Sequence, residues 1–131
     1  MTKFMLDTDT VSYWLRGEGR VDRRLRSVSP SSVCVSAIVV QELELGAARA
    51  RSRRLRVNLD AFYAGITVVA YDDRAARRYG LLARGLLSRG IPIGVEDTMI
   101  AAHALSLSRV VVTHNTRHFE RVPGLALEDW Y

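Results

Sequence analysis

Short apolar runs alternate along the chain with longer stretches in which apolar positions recur every three or four residues. That alternation predicts an α/β fold with a short, mainly parallel sheet, because parallel strands need helical crossovers between them. Lys3 to Leu6 reads as the first strand, and Thr10 as the cap of a helix that begins at Val11 and stops near Gly17. Arg20 to Ser27 is a polar, basic stretch, and Pro30, Ser31 and Ser32 make a loop. Val33 to Val35 is a second short strand. Ser36 caps a helix from Ala37 through Gly46, on which Ile38, Glu42 and Leu45 share a face. Another helix spans Arg49 to Tyr63, with Leu55, Leu59 and Phe62 inward, and Gly65 breaks it. Ile66 to Val69 is a third strand. Asp72 or Asp73 caps a long helix to about Ser88, closed by Gly90. After the turn Ile91-Pro92-Ile93-Gly94, Val95 to Leu107 is apolar enough to be a buried helix. Arg109 to Thr113 is the clearest core strand. The tail holds a turn near Phe119, a break at Pro123-Gly124 and a small edge strand around Leu127.

At 131 residues and 48% hydrophobic, the chain suits a single domain, 1–131, that buries a core without disulfides. There is no internal repeat, low-complexity segment or linker. No apolar run approaches the roughly 20 residues of a membrane span. Asp7 and Asp9 interrupt the N-terminal run too early for a signal peptide. The lone Cys34, in Ser32-Val33-Cys34-Val35-Ser36, reads as a small core residue. A cytoplasmic protein with no membrane partner is expected.

The net charge is +5, and all but one of the 19 basic residues are Arg, Lys3 being the exception. Arg suits bidentate phosphate contacts, so a polyanionic partner is plausible. Solvated helix faces rich in Arg explain the charge equally well, so charge alone does not choose a function.

The acids change the picture. Asp7 ends the first strand, Glu42 lies in the helix after the second, and Asp97 sits in the first turn of the apolar helix. Thr113, Asn115 and Glu120 follow the strongest strand. In a parallel sheet all four places approach one edge, where open α/β sheets hold their ligands. Carboxylates gathered in one pocket repel, and need raised pKa values or a divalent cation. Carboxylate, hydroxyl and amide oxygens suit Mg²⁺ or Mn²⁺ rather than zinc, and such an ion serves phosphodiester or phosphoryl chemistry. Each acid also has a plainer reading. Asp7 and Asp97 could complement a helix dipole, Asp9 could satisfy the turn, and Glu44 near Glu42 allows a solvated stripe. Glu96 lies about 100° around the helix from Asp97 and points outward. His114 and His118 near the same edge keep open a metal-free acid–base ribonuclease, while His103 reads as a hydrogen-bonded core residue.

With these residues in view, the chain resembles the PIN-domain ribonucleases of the VapC toxin type. The likeness rests on Phe4-Met5-Leu6-Asp7-Thr8-Asp9, on Ser36-Ala37-Ile38-Val39-Val40-Gln41-Glu42-Leu43 and on Gly90 through Ala104. Val111 through Phe119 and Val122-Pro123-Gly124-Leu125 to Glu128-Asp129-Trp130 complete it, so nearly the whole chain is covered. The resemblance implies a PIN-like three-layer α/β/α domain. It implies Asp7, Glu42 and Asp97 as principal acids holding Mg²⁺ or Mn²⁺, Asp7 and Asp97 foremost. Asp9 and Glu96 stand where the family often has Asn. Asn115 stands where many PIN domains have a fourth Asp, so Glu120 is the candidate to supply that charge, or Asn115 to orient a water, with Thr113 adding a hydroxyl. Implied too are RNA cleavage, commonly of tRNA, a VapB-type antitoxin that covers the site, and a homodimer. Metal-assisted hydrolysis of this kind leaves a 5′-phosphate and a 3′-hydroxyl, with Arg84, Arg117 and Arg121 as candidates to hold the RNA backbone.

Two other classes fit parts of the sequence. Asp7-Thr8-Asp9-Thr10 after an apolar strand resembles the start of haloacid-dehalogenase-type phosphatases. That fold wants a Lys in its site, and Lys3 precedes the first strand. A non-catalytic RNA-binding module would explain the Arg residues but not clustered acids.

Overall fold

The computed structural model describes residues 1–131. Five strands form one sheet, β1 (Phe4–Leu6), β2 (Val33–Ser36), β3 (Thr67–Val69), β4 (Val110–Val112) and β5 (Leu127–Glu128). Their order is β3-β2-β1-β4-β5 and every pairing is parallel. β1 therefore sits between β2 and β4, with Phe4 opposite both Val33 and Val110. The order reverses at β1, and a crevice opens there beyond the C-terminal ends of β1 and β4.

The helices are α1 (Thr8–Leu15), α2 (Val21–Ser27), α3 (Ala37–Ala50), α4 (Arg53–Gly65), α5 (Asp73–Ser88), α6 (Val95–Ser106) and α7 (Thr116–Phe119). Right-handed crossovers put the helices that follow β1 and β2 on one face, and those that follow β3 and β4 on the other. The packing agrees: α1 meets α2, α3 and α4, while α5 lies along α6. The result is the expected three-layer α/β/α domain. β1 and β2 are buried along their whole length, and Met5, Leu6, Cys34, Val35, Val111 and Val112 form the centre of the core. Cys34 is the core residue expected, and burial pushes its thiol pKa up. No helix is long and apolar enough to cross a membrane.

Three boundaries differ from the sequence reading. α1 starts at Thr8, and its cap is Asp7, whose Oδ1 accepts from the Thr10 amide at 2.8 Å. Thr10 is not the cap because its hydroxyl donates across the sheet to the Val112 carbonyl at 2.9 Å. The basic stretch after Gly19 is a helix, α2. Buried Val21 anchors it, Trp14 donates to Asp22 at 3.0 Å, and Arg24 pairs with Glu128 at 2.9 Å. Those partners lie outside the segment, so its own pattern does not reveal the helix. α3 runs through Gly46 to Ala50 and ends where Arg51 turns left-handed at φ 50°, and Ser52 caps α4. An exposed glycine inside a helix costs only about 1 kcal/mol relative to alanine, too little to end it.

Candidate active site

Asp7 leaves β1 as the chain turns into α1, and only 4% of it is exposed. Its backbone amide donates to Val112 at 3.1 Å, which ties the turn to β4. Burial pushes its carboxyl up to about 6; the Thr113 hydroxyl and the Thr10 amide pull back, and the charge of Asp9 adds to the rise. Thr113, directly after β4, is fully buried, and its hydroxyl also accepts from the Asn115 amide at 3.0 Å. The two strands at the reversal of the sheet thus supply an acid and a hydroxyl to one point.

Glu42 comes from the second turn of α3, which Ser36 caps through the Ile38 amide at 3.1 Å. Its Oε1 accepts from the Thr8 hydroxyl at 2.7 Å, so the first residue of α1 holds an acid of α3. Burial raises the Glu42 carboxyl, the Thr8 bond opposes it, and Asp97, Glu96 and Asp9 repel it upward. Asp97 lies in the first turn of α6, with Oδ2 2.9 Å from His118 Nδ1 on α7. Its carboxyl too is raised by burial, against the pull of His118, with Asp9 and Glu96 adding repulsion.

The three acids thus share one source of repulsion, Asp9, and Asp97 also repels Glu42. Asp9 is exposed, yet its charge raises all three, so it faces the same crevice and does more than close the turn. Glu96 is exposed, as expected, and reaches the site through its charge alone. The fourth corner is open: Asn115 and Glu120 are both exposed, at the two ends of α7, and neither is among the charges and donors that chiefly shift the three acids.

The donor set is hard oxygen, and crowded carboxylates with raised pKa values are what a divalent cation relieves. In kind, these residues fit Mg²⁺ or Mn²⁺. As the side chains stand, no three His, Cys, Asp or Glu groups converge tightly enough to hold an ion, because each acid is turned to a protein donor: Thr10, Thr8 or His118. Closing the set around a cation requires Glu42 and Asp97 to rotate.

Sequence reasoning found the acids but missed two of these donors. Thr8 becomes visible as a donor only once α1 is known to start there. The sequence suggests His118 as a free acid–base group, yet its Nδ1 is committed to Asp97. His103 is the core residue expected: it is buried, with Nδ1 2.9 Å from the Ser36 hydroxyl, so it ties α6 to the cap of α3. A cavity of about 320 Å³ opens beside Glu42, lined by Thr8, Ser12, Leu15, Arg16, Leu43 and Leu59 among others.

The chain is similar to known proteins along nearly its whole length. The family model described as PIN domain matches residues 4–125. The chain is 40% identical to the tRNA(fMet)-specific endonuclease VapC of Salmonella typhimurium, over 99% of each chain. It is 34% identical to Ribonuclease VapC2 of Haemophilus influenzae, again over 99% of each. Among solved structures, DNA-bound VapBC from Salmonella typhimurium superposes with a TM-score of 0.89 at 38% identity, covering 100% of both chains. VapBC2 from Rickettsia felis, bound to a DNA fragment from its promoter, gives 0.90 at 27% identity over 99% of this chain and 100% of that one.

Proposed function

Since the chain belongs to the PIN-domain family, among its VapC ribonuclease toxins, we propose that it hydrolyses tRNA with Mg²⁺ or Mn²⁺ held by Asp7, Asp97 and Glu42. The observation that carries this reading is the set of three carboxylates, all raised by burial and further by neighbouring acids, at the crevice beyond β1 and β4. Initiator tRNA is the first candidate substrate, by likeness to the Salmonella relative.

When bound, the ion would neutralise charge on the scissile phosphate and make a water acidic enough to yield hydroxide near neutral pH. The chain's own residues prepare that site. Thr8 and His118 hold Glu42 and Asp97 at the crevice in the metal-free protein, and both acids would turn from these donors to the ion. Asp9 adds negative charge that favours a cation over a second anion. Glu120 keeps its proposed part as a fourth acid; it caps the C-terminal end of α7, exposed to solvent. Arg117 and Arg84 make no side-chain bond, which leaves them free for phosphates, whereas Arg121 already donates to the Pro92 carbonyl at 3.1 Å.

A VapB-type antitoxin is the proposed inhibitor, as the related solved structures are VapBC assemblies. The cavity beside Glu42 gives an antitoxin segment room to lie against the acids. A homodimer is proposed as well; exposed Leu87 and Val95 flank one shallow groove that such an interface would cover.

The test is cleavage of purified tRNA by protein freed of its antitoxin. Cutting should require Mg²⁺ or Mn²⁺ and stop with chelator. Cutting that survives chelation would favour the histidine mechanism, against which His114 and His118 already stand paired with Asp129 and Asp97. Release of phosphate from small monoesters would favour the phosphatase. Lys3, however, lies at the opposite end of β1 from Asp7, where its carbonyl accepts from Val110. No cleavage of any RNA would leave the binding module.

A further inference from the structure

On the β4–β5 side of the acids stands a cluster of rings that the proposed reaction does not use. His114 follows Thr113 directly, and its ring stacks on Tyr131 at 4.3 Å between centroids and 23° between planes. Tyr13 meets Tyr131 edge-on at 4.7 Å, and the Arg16 guanidinium lies 5.4 Å over the Tyr13 ring. Tyr13 is four residues after Asp9 on α1, so the two share a face. With His114 adjoining Thr113 and Tyr13 on the face of Asp9, the cluster stands beside the acids.

The rings reach solvent, yet the backbone beneath them is fixed. Tyr131 is 43% exposed. Its amide donates to Asp129 Oδ1 at 2.9 Å, and its carbonyl accepts from Arg20 Nε at 3.1 Å. Gly19, at φ 66°, packs so close that a Cβ there would sit 2.8 Å from the Tyr131 backbone. Asp129 Oδ2 also holds His114 Nδ1 at 2.9 Å, which sets the imidazole plane. Trp130, the ring before Tyr131, is buried. Here the neighbouring rings are presented to solvent on a rigid frame, with Arg20, which donates only to backbone carbonyls, alongside, and Arg16 paired with Glu18 at 3.0 Å. Aromatic faces beside a positively charged backbone track are how proteins grip unpaired bases of single-stranded RNA.

We propose that Tyr131, His114 and Tyr13 form a stacking platform for an unpaired nucleobase next to the scissile phosphate. The proposal rests on the ribonuclease reading for its place in the reaction, but not for binding itself. An RNA loop would then lie with its cut phosphate over Asp7 and a flanking base on the platform. Such a site selects single-stranded segments and tolerates any base, since every base has a π face.

The test is binding by full-length, antitoxin-free protein carrying Asp97→Asn, so that RNA is not consumed. Fluorescence anisotropy would follow a short single-stranded oligoribonucleotide and its abasic counterpart. Tyr131→Leu should weaken the base-containing strand on the order of ten-fold, as loss of one stack implies, while Tyr131→Phe stays within about two-fold of the parent on the same scale. The abasic strand should bind weakly and not respond to Tyr131→Leu. His114→Ala, which keeps the Tyr131 backbone bonds to Asp129 and Arg20, should repeat the pattern if Tyr131→Leu lowers the melting temperature. In the active enzyme both changes should raise KM more than they lower kcat. Equal weakening of the two strands, or of neither, overturns the platform. So does loss of antitoxin affinity with RNA affinity unchanged, which would assign the rings to a protein partner. If the active enzyme cuts no RNA while base-dependent binding follows this pattern, the cleavage reading fails and the platform stands.

Discussion

Asp7 serves two purposes that pull in opposite directions. As the cap of α1 it accepts from Thr10, which favours the fold; as a buried carboxylate among acids it opposes the fold. Asparagine keeps the capping oxygen and removes the charge. Asp7→Asn should therefore abolish RNA cleavage and yet raise the stability of metal-free protein at pH 7 by on the order of 1–3 kcal/mol. The sign follows from linkage. The folded pKa, about 6, lies above the ordinary value of 3.8. The folded state thus binds the extra proton between those values, and stability falls as pH rises through that window, staying low above it. Melting curves of the two proteins from pH 4 to 8 should diverge as pH rises to about 6 and then run parallel. A variant no more stable than the parent at pH 7 would mean that Asp7 is not strained by burial. Asp7, Glu42 and Asp97 are legible in the sequence because each is an acid at a strand end or near a helix start. Their donors are not, because Thr8 and His118 come from other elements and look like ordinary polar residues. Nor can sequence decide between Asn115 and Glu120, since the exposure of both follows from how α7 sits.

At the scale of elements, the strands are legible almost to the residue; the central β1 and β2 are apolar runs buried along their length, a pattern with few alternatives. Helix ends are harder. Gly46 looks like a stop because glycine is a poor helix former, yet α3 continues beyond it to the left-handed Arg51. Gly46→Ala measures that difference. An added Cβ there would meet nothing within 4 Å, and φ is not positive, so alanine should stabilise the domain by about 0.5–1 kcal/mol. Denaturant melts should show a higher midpoint and an unchanged slope. A destabilised Gly46→Ala would mean that α3 breaks there. Gly19→Ala should do the reverse, because Gly19 combines φ 66° with close approach to Tyr131. It should lower the melting temperature and weaken RNA binding together, whereas Gly46→Ala should leave RNA binding alone. α2 stays hidden in the sequence because its contacts to Trp14 and Glu128 exist only in the folded molecule.

Across the whole molecule, a chain of net charge +5 concentrates acids that no Arg or Lys neutralises at one crevice. Basic surface draws RNA in, and the acids reject its phosphates unless a cation intervenes. Metal binding should therefore be coupled to protons. An acid near pKa 6 is partly protonated in slightly acidic solution, and a cation must displace that proton to use the carboxylate. Affinity for Mn²⁺, measured by calorimetry without RNA, should be nearly flat above pH 7 and fall below pH 6, approaching about ten-fold per unit for one displaced proton. The rise in melting temperature on adding Mn²⁺ should shrink in step, since a ligand stabilises by mass action. Asp7→Asn should show a weaker pH dependence, left to Glu42 and Asp97, and lose most of the stabilisation. Asp97→Asn should lose much of the affinity as well, but keep the proton coupling that belongs to Asp7. Mn²⁺ affinity that stays constant from pH 5 to 8 in the parent protein would remove Asp7 from the ligand set. It would then return to being the cap of a helix, with the repulsion among Glu42, Asp97 and Asp9 left to be relieved in some other way.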